Sequence, residues 1–423
     1  MSINPFELKS GSVDKGINDW KKIFVKPYDK RETDPYTKIR IILCTGAEYE
    51  QVWFGHRFHR CCADNDLRRE LALLRRVEQQ QQKRLAFLKP ADENILETTI
   101  GYEQLAVDLT AVLAQNEPDA YVKAALDFAL LEDFDHLYRY ADLLEMEYGV
   151  YAEQLVGRYT EIMPGRPTIA EHRYPFDDVK RPSDASASLA TKLCTNIITA
   201  AEQQTMNYYM NVGATYVSDL GRKLYLEIAM IEEQHVTHYG SLLDPAMTWL
   251  ENLLMHEYTE CYLYYSMLND EVNPHVKKIW EAHFDIELSH LHKAAELLKK
   301  YEKKEWQQVI PNAEFPKLLA FTDMQEANKA YVRGVLGATV QNTAVLEEYT
   351  KVARLPDGYE FFKYNDAVNR APSDVASHGV IDKYIAEAGI DYRFEERPHP
   401  VKALSNRKKD NVDVGRACPK ADR

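Results

Sequence analysis

The chain has 423 residues, with 66 acidic and 52 basic side chains and a net charge of -14 at pH 7. That length allows two domains around a large core, and the acidity argues against a nucleic-acid partner, which needs a basic surface. No run of about eighteen apolar residues exists, so no membrane span is expected. Met1 to Pro27 mixes charges with apolar residues, unlike a secretory signal, and the chain reads as cytoplasmic. Ala, Leu, Glu and Lys are plentiful and glycine is sparse, a balance that favours helices. The six cysteines, Cys44, Cys61, Cys62, Cys194, Cys261 and Cys418, include no CxxC pair, which argues against zinc ribbons and rubredoxin-type iron sites.

In chain order, residues 1–39 read as an arm rich in Pro, Lys and Asp. Four long helical patterns follow, near 40–62, 66–89, 93–115 and 119–147, parted by Ala63-Asp64-Asn65, Lys89-Pro90 and Asn116-Glu117-Pro118. These span a first repeat, 40–150. Residues 151–185, with Met163-Pro164-Gly165-Arg166-Pro167 and Arg181-Pro182-Ser183-Asp184, read as a long irregular crossover. A second repeat, 186–303, holds helical patterns near 186–216, 219–241, 245–270 and 274–303. The extension 304–423 carries shorter patterns near 323–353 and 373–388 and ends in a polar stretch, Ser405 to Arg423, that reads as extended or disordered.

The two repeats match at an offset of 154 positions: Glu48 recurs as Glu202, Glu103 as Glu257, Asp133 as Glu287 and His136 as His290. Thr45, Ala47, Glu97, Val122, Lys123, Leu137, Ala141, Leu143 and Leu144 recur identically at the same offset. A duplicated four-helix unit is the simplest account. Within each helical hairpin a Glu is followed thirty residues later by a carboxylate, then by His or Gln three further on. The four sets are Glu48/Glu78/Gln81, Glu103/Asp133/His136, Glu202/Glu232/His235 and Glu257/Glu287/His290. Residues three apart share a helix face, so each pair can aim at one point.

A lone Glu is usually a solvated surface residue, but these interrupt apolar stripes. The second helix steps through Leu67, Leu71, Leu74, Glu78, Gln81, Leu85 and Leu88. The fourth steps through Val122, Leu126, Ala129, Asp133, His136, Tyr140 and Leu143. Buried carboxylates need a compensating charge. With no Lys or Arg in those stripes, the clustered carboxylates and histidines imply a cation.

Glu paired with Glu-x-x-His from a second helix resembles the signature of the ferritin-like di-iron and di-manganese carboxylate superfamily. Glu232-Glu233-Gln234-His235 and Glu287-Leu288-Ser289-His290 match the motif, Asp133-Phe134-Asp135-His136 matches with Asp for Glu, and Glu78-Gln79-Gln80-Gln81 departs with Gln for His. The resemblance covers about 40–150 and 186–303. Classical rubrerythrins are similar through Glu257-x-x-Glu260, but their cysteine-ligated iron domain has no counterpart here. The resemblance implies an all-α fold, two tandem four-helix units forming ferritin-like bundles with a partly helical C-terminal extension. It also implies dinuclear Fe or Mn, up to two centres per chain. Glu78, Asp133, Glu232 and Glu287 are the bridging candidates; Glu48, Glu103, Glu202 and Glu257 would be terminal ligands. Tyr140, Tyr239, Tyr258, Tyr262 and Tyr264 lie within a few turns, either as hydrogen-bond donors or redox partners of the ligands or as core filling.

Such a superfamily uses two hairpins related by a twofold axis, joined by a long crossover. Consecutive hairpins are too closely spaced for that, so the expected pairing is repeat to repeat. Site I then joins Glu48, Glu78 and Gln81 with Glu202, Glu232 and His235. Site II joins Glu103, Asp133 and His136 with Glu257, Glu287 and His290, and is expected to be the principal redox centre. The rival pairing sets the second hairpin against the third, as in bacterial multicomponent monooxygenases. Three functions compete: an oxidase or oxygenase using O2 or peroxide on a small organic substrate, a ferroxidase, peroxide-scavenging or storage protein, and a metal-stapled structural protein. The electron donor is not legible, and a homo-oligomer stays open.

Overall fold

The computed structural model describes residues 3–162, 183–337 and 386–387. Nine helices longer than two turns are described: α1 Pro35–Cys61, α2 Asn65–Ala86, α3 Ile95–Asn116, α4 Ala120–Tyr148, α5 Leu189–Thr215, α6 Asp219–Gly240, α7 Trp249–Asp270, α8 Pro274–Glu302 and α9 Gln325–Gly337. No strand occurs among the described residues, and none of their helices is long and apolar enough to cross a membrane. The all-α expectation therefore holds. Part of the crossover, the remainder of 323–353, nearly all of 373–388, Cys418 and the polar end lie outside the described residues.

Helix starts follow local chemistry. Asp34 caps α1, with Pro35 in its first turn, so the helix opens five residues before the apolar stripe suggests. Asn94 and Glu97 close a reciprocal capping box at α3, and Thr248 and Glu251 do the same at α7. Asp119 caps α4 and Asn273 caps α8 by accepting from the second and third residues beyond them. α4 ends at Gly149, whose φ of 63° a side chain would disfavour.

The helices gather into two compact units that cut across the two repeats. Unit one holds Met1–Glu93, Pro182–Gln204 and Leu243–Thr322; unit two holds Asn94–Arg181, Thr205–Leu242 and Asp323–Arg423. In unit one the hairpin α1–α2 packs against the hairpin α7–α8, with the first half of α5 beside α1. There Gln204 Nε2 donates to Ile42 O at 3.0 Å, and a Cβ at Gly46 would stand 3.2 Å from that amide. At one end Arg40, fully buried, binds Asp270 through Nε at 3.0 Å, and Trp280 Nε1 donates to Glu271 at 3.1 Å. The N-terminal arm lies on this unit, with Phe6 stacked on Trp306 at 4.0 Å and Asn18 N donating to Gln80 at 2.7 Å.

In unit two α3 and α4 form one hairpin; the end of α5 and α6 form another. Their core includes Ile100, Phe134, Tyr140, Tyr209, Tyr225 and Ile228. α9 docks on α3 and α4 through Val332, Val335 and Leu336. Buried Asn328 donates to Asp108 O at 3.4 Å and to its carboxylate at 3.3 Å, and accepts from Gln115 at 2.8 Å. Thr160 donates to the same Asp108 at 2.6 Å, tying the segment after α4 to α3.

Candidate metal centre

In unit one, α1 supplies Glu48, α2 Glu78 and Gln81, α7 Glu257 and Glu260, and α8 Glu287 and His290. All are buried in the stripes that face the interior. They fall into two groups whose donor atoms lie within 4.8 Å of one another: Glu78, Glu257, Glu287 and His290, and Glu48, Glu78 and Glu260. Glu78 belongs to both. His290 Nδ1 stands 2.5 Å from Glu78, 3.2 Å from Glu287 and 3.6 Å from Glu257. Gln81 Nε2 donates to Glu287 and Gln51 Nε2 to Glu257, each at 2.5 Å, and Tyr264 donates its hydroxyl to Glu48.

This cluster is electrostatically loaded. Burial, then the neighbouring carboxylates, push Glu48 and Glu260 well above the usual carboxylate range; Glu257 rises for the same reasons against the pull of His290. Burial opposes a charge on His290, yet Glu78 and Glu287 outweigh it and hold its pKa well above the ordinary imidazole value. Neither oxygen of Glu260 has a hydrogen-bond partner, nor does Gln81 Oε1. Five buried carboxylates around one histidine, with acceptor atoms to spare, are a donor set that suits a hard or borderline divalent cation. Arg40 does not supply that charge, because Asp270 holds it, and the half-buried Arg84 on α2, which acts on Glu48 and Tyr264, is one cation against five carboxylates.

Unit two builds a second cluster from Glu103 on α3, Asp133 and His136 on α4, and Glu232 and His235 on α6, all fully buried. The groups here are Asp133, Glu232 and His235, and Glu103, His136 and Glu232, with Glu232 in both. His136 Nδ1 is 3.0 Å from Glu232; His235 Nδ1 is 3.3 Å from both Asp133 and Glu232. Tyr209 on α5 donates its hydroxyl to Glu103, as Tyr264 does to Glu48. Thr110 donates to Asp133 at 3.3 Å. Glu202 is buried on α5, in the stretch belonging to unit one, two turns before Tyr209 and on the same helical face.

The expected pairing of hairpins is therefore corrected. Gln81 and Glu78 meet Glu287 and His290, not Glu232 and His235; Asp133 and His136 meet Glu232 and His235, not Glu287 and His290. Sites I and II as drawn from the repeats do not form, and the rival pairing of the second hairpin with the third is the one adopted. Both pairings join hairpins of opposite direction, so the twofold argument could not choose between them.

Several polar residues escaped the motif reading. Glu132 accepts from His235 Nε2, and a carboxylate on the far ring nitrogen is how ligating histidines are oriented. Its signal was the Glu132-Asp133 pair. Glu260 was visible only as the second acid of Glu257-x-x-Glu260. His238 is buried beside His235, and burial, then that neighbour, drops its pKa to about 3. His283 is buried on α8 one turn before Glu287. No protein family, curated protein or solved structure matches this chain.

Proposed function

We propose that the chain is a ferritin-like carboxylate protein holding one dinuclear Fe or Mn centre in each unit, and that it is an oxidoreductase using O2 or peroxide on a small organic substrate. The observation that carries this reading is that each unit holds two overlapping ligand groups joined by one buried carboxylate, Glu78 in one and Glu232 in the other. A carboxylate shared by two ligand sets would let one side chain contribute to holding both ions of a pair. Glu257, Glu287 and His290 complete the first side of the unit-one site, Glu48 and Glu260 the second. Gln81 contributes an amide whose oxygen is unpartnered. In unit two Glu103 and His136 would hold one ion, Asp133 and His235 the other.

A bridged Fe or Mn pair supplies one-electron redox chemistry towards O2 or peroxide. The chain's own part is to hold imidazole and carboxylate donors in a dry interior and to fix their direction. Tyr264 and Tyr209 orient the terminal glutamates Glu48 and Glu103, and Glu132 orients His235.

Anaerobic reconstitution of the purified chain with Fe2+ or Mn2+, followed by elemental analysis, tests the reading. About four ions per chain are expected, one for each group, and addition of O2 or peroxide should change the optical spectrum. A chain that stays metal-free with both ions sinks the proposal. Four ions with no response to either oxidant would leave a structural metal protein.

A further inference from the structure

The clusters of the two units are built on one plan. Adding 55 to Glu48, Glu78 and Gln81 gives Glu103, Asp133 and His136; subtracting 55 from Glu257, Tyr264, Glu287 and His290 gives Glu202, Tyr209, Glu232 and His235. The contacts repeat with the numbers. Tyr264 donates to Glu48 as Tyr209 donates to Glu103, and Gln81 meets Glu287 as His136 meets Glu232. On this correspondence Glu260 stands where position 205 is Thr, and two exchanges involving histidine stand out. Unit one has lost a histidine, with Gln81 where unit two has His136. It has also gained one, with His283 where unit two has the buried, apolar Ile228.

His283 is fully buried and neither ring nitrogen has a hydrogen-bond partner. Its Nδ1 lies 3.8 Å from Glu48 Oε1, and its ring meets Tyr264 edge-on with centroids 5.0 Å apart. Two donors on one ion, each about 2.1 Å from it, stand about 3–4 Å apart. A buried imidazole without partners needs an explanation. Packing does not provide one, since an isoleucine fills the corresponding place in unit two. The Glu48, Glu78 and Glu260 group on that side contains carboxylates alone.

We propose that His283 is a metal ligand, the imidazole donor to the ion held by Glu48, Glu78 and Glu260, in compensation for the glutamine at position 81. The assignment rests on the dinuclear reading of unit one. One histidine per ion then holds in both units: His290 and His283 in the first, His235 and His136 in the second. The difference is that the compensating imidazole arrives from α8 and not from α2. Gln81 is left to hold Glu287 in place.

Co2+ titration of the full chain under anaerobic conditions, read by bound ion after desalting and by visible d–d absorption, tests this. His283→Ile copies unit two and should keep the fold while lowering bound Co2+ by about one ion per chain, with loss of part of the d–d envelope. His283→Ala should show the same loss and regain the ion when imidazole is supplied in the buffer. This second variant covers the case in which isoleucine disturbs folding. Retention of the wild-type count and spectrum by a folded variant overturns the ligand assignment and leaves the dinuclear reading intact. A wild-type chain that binds no Co2+ overturns both.

Discussion

Two tyrosine hydroxyls, Tyr264 and Tyr209, end on the buried carboxylates Glu48 and Glu103. Burial, then the carboxylate each one meets, pushes both phenols well above their ordinary range, so each is a donor at any physiological pH. Removing the hydroxyl leaves a buried carboxylate with one donor fewer. Tyr264→Phe and Tyr209→Phe should each lower stability by about 1–3 kcal/mol in metal-free protein, read by denaturant midpoint. A loss below about 0.5 kcal/mol in both would show that these bonds do not hold the glutamates. Of these two residues, Tyr264 was legible as a tyrosine near a ligand. Tyr209 was missed although it stands seven residues after Glu202, as Tyr264 does after Glu257; for both, the glutamate actually met lies on another hairpin, which no local spacing reveals. Glu153 gives a second test. Burial, then Glu145 and Asp142, raise its pKa. A carboxyl raised in the folded state adds stability below its unfolded pKa and loses it as pH rises through the folded value. Glu153→Gln should therefore raise the thermal midpoint at pH 8 and leave it unchanged at pH 4. An equal shift at both values would point to packing.

The elements were the most readable part of the chain, and the reason is local. α3 and α7 begin with the same reciprocal box, Asn94 with Glu97 and Thr248 with Glu251, which is why Glu97 recurs 154 residues on although it is far from the clusters. The caps at Asp64, Asp119, Ser218 and Asn273 fall at that offset too. What spacing could not reveal was an approach between elements. Gly221, in the first turn of α6, lies under the Tyr216 ring, and an added Cβ would come within 2.2 Å of it. Gly221→Ala should cost about 1–3 kcal/mol, measured by urea unfolding. An unchanged midpoint would mean that the α5–α6 turn opens freely. The docking of α9 was equally hidden, since it depends on Asn328 reaching Asp108 on α3, more than 200 residues earlier.

At the scale of the whole molecule, the sequence carried the ligand types and their helix faces but not which hairpins meet. Glu48, Glu78 and the rest sit in stripes whose period is set by the helix alone. The choice of partner is made by long-range contacts such as Gln81 to Glu287 and Gln51 to Glu257. The Gln81 departure from the motif looked like a weakened ligand; beside Glu287 it is a donor that restrains a carboxylate. These clusters should also set an opposition between metal-free stability and metal binding. Glu260 is 2% exposed, has no hydrogen-bond partner, and is surrounded by Glu78, Glu287, Glu48 and Glu257. Without an ion, burial and these neighbours push the Glu260 carboxyl well above its ordinary range, and the cost of neutralising it destabilises the fold at neutral pH. With an ion bound only to the folded state, stability rises by about 2.7 kcal/mol once free metal reaches about a hundred times its dissociation constant. Glu260→Gln keeps the shape and removes the charge. In excess chelator it should melt higher than wild type, by about 1–3 kcal/mol of added stability. In excess Mn2+ or Fe2+ the order should reverse, because the variant loses the ion that the Glu48, Glu78 and Glu260 group would hold. A variant that melts below wild type in chelator would show that Glu260 serves the apo fold. One that gains as much from metal as wild type does would remove Glu260 from the ligand set.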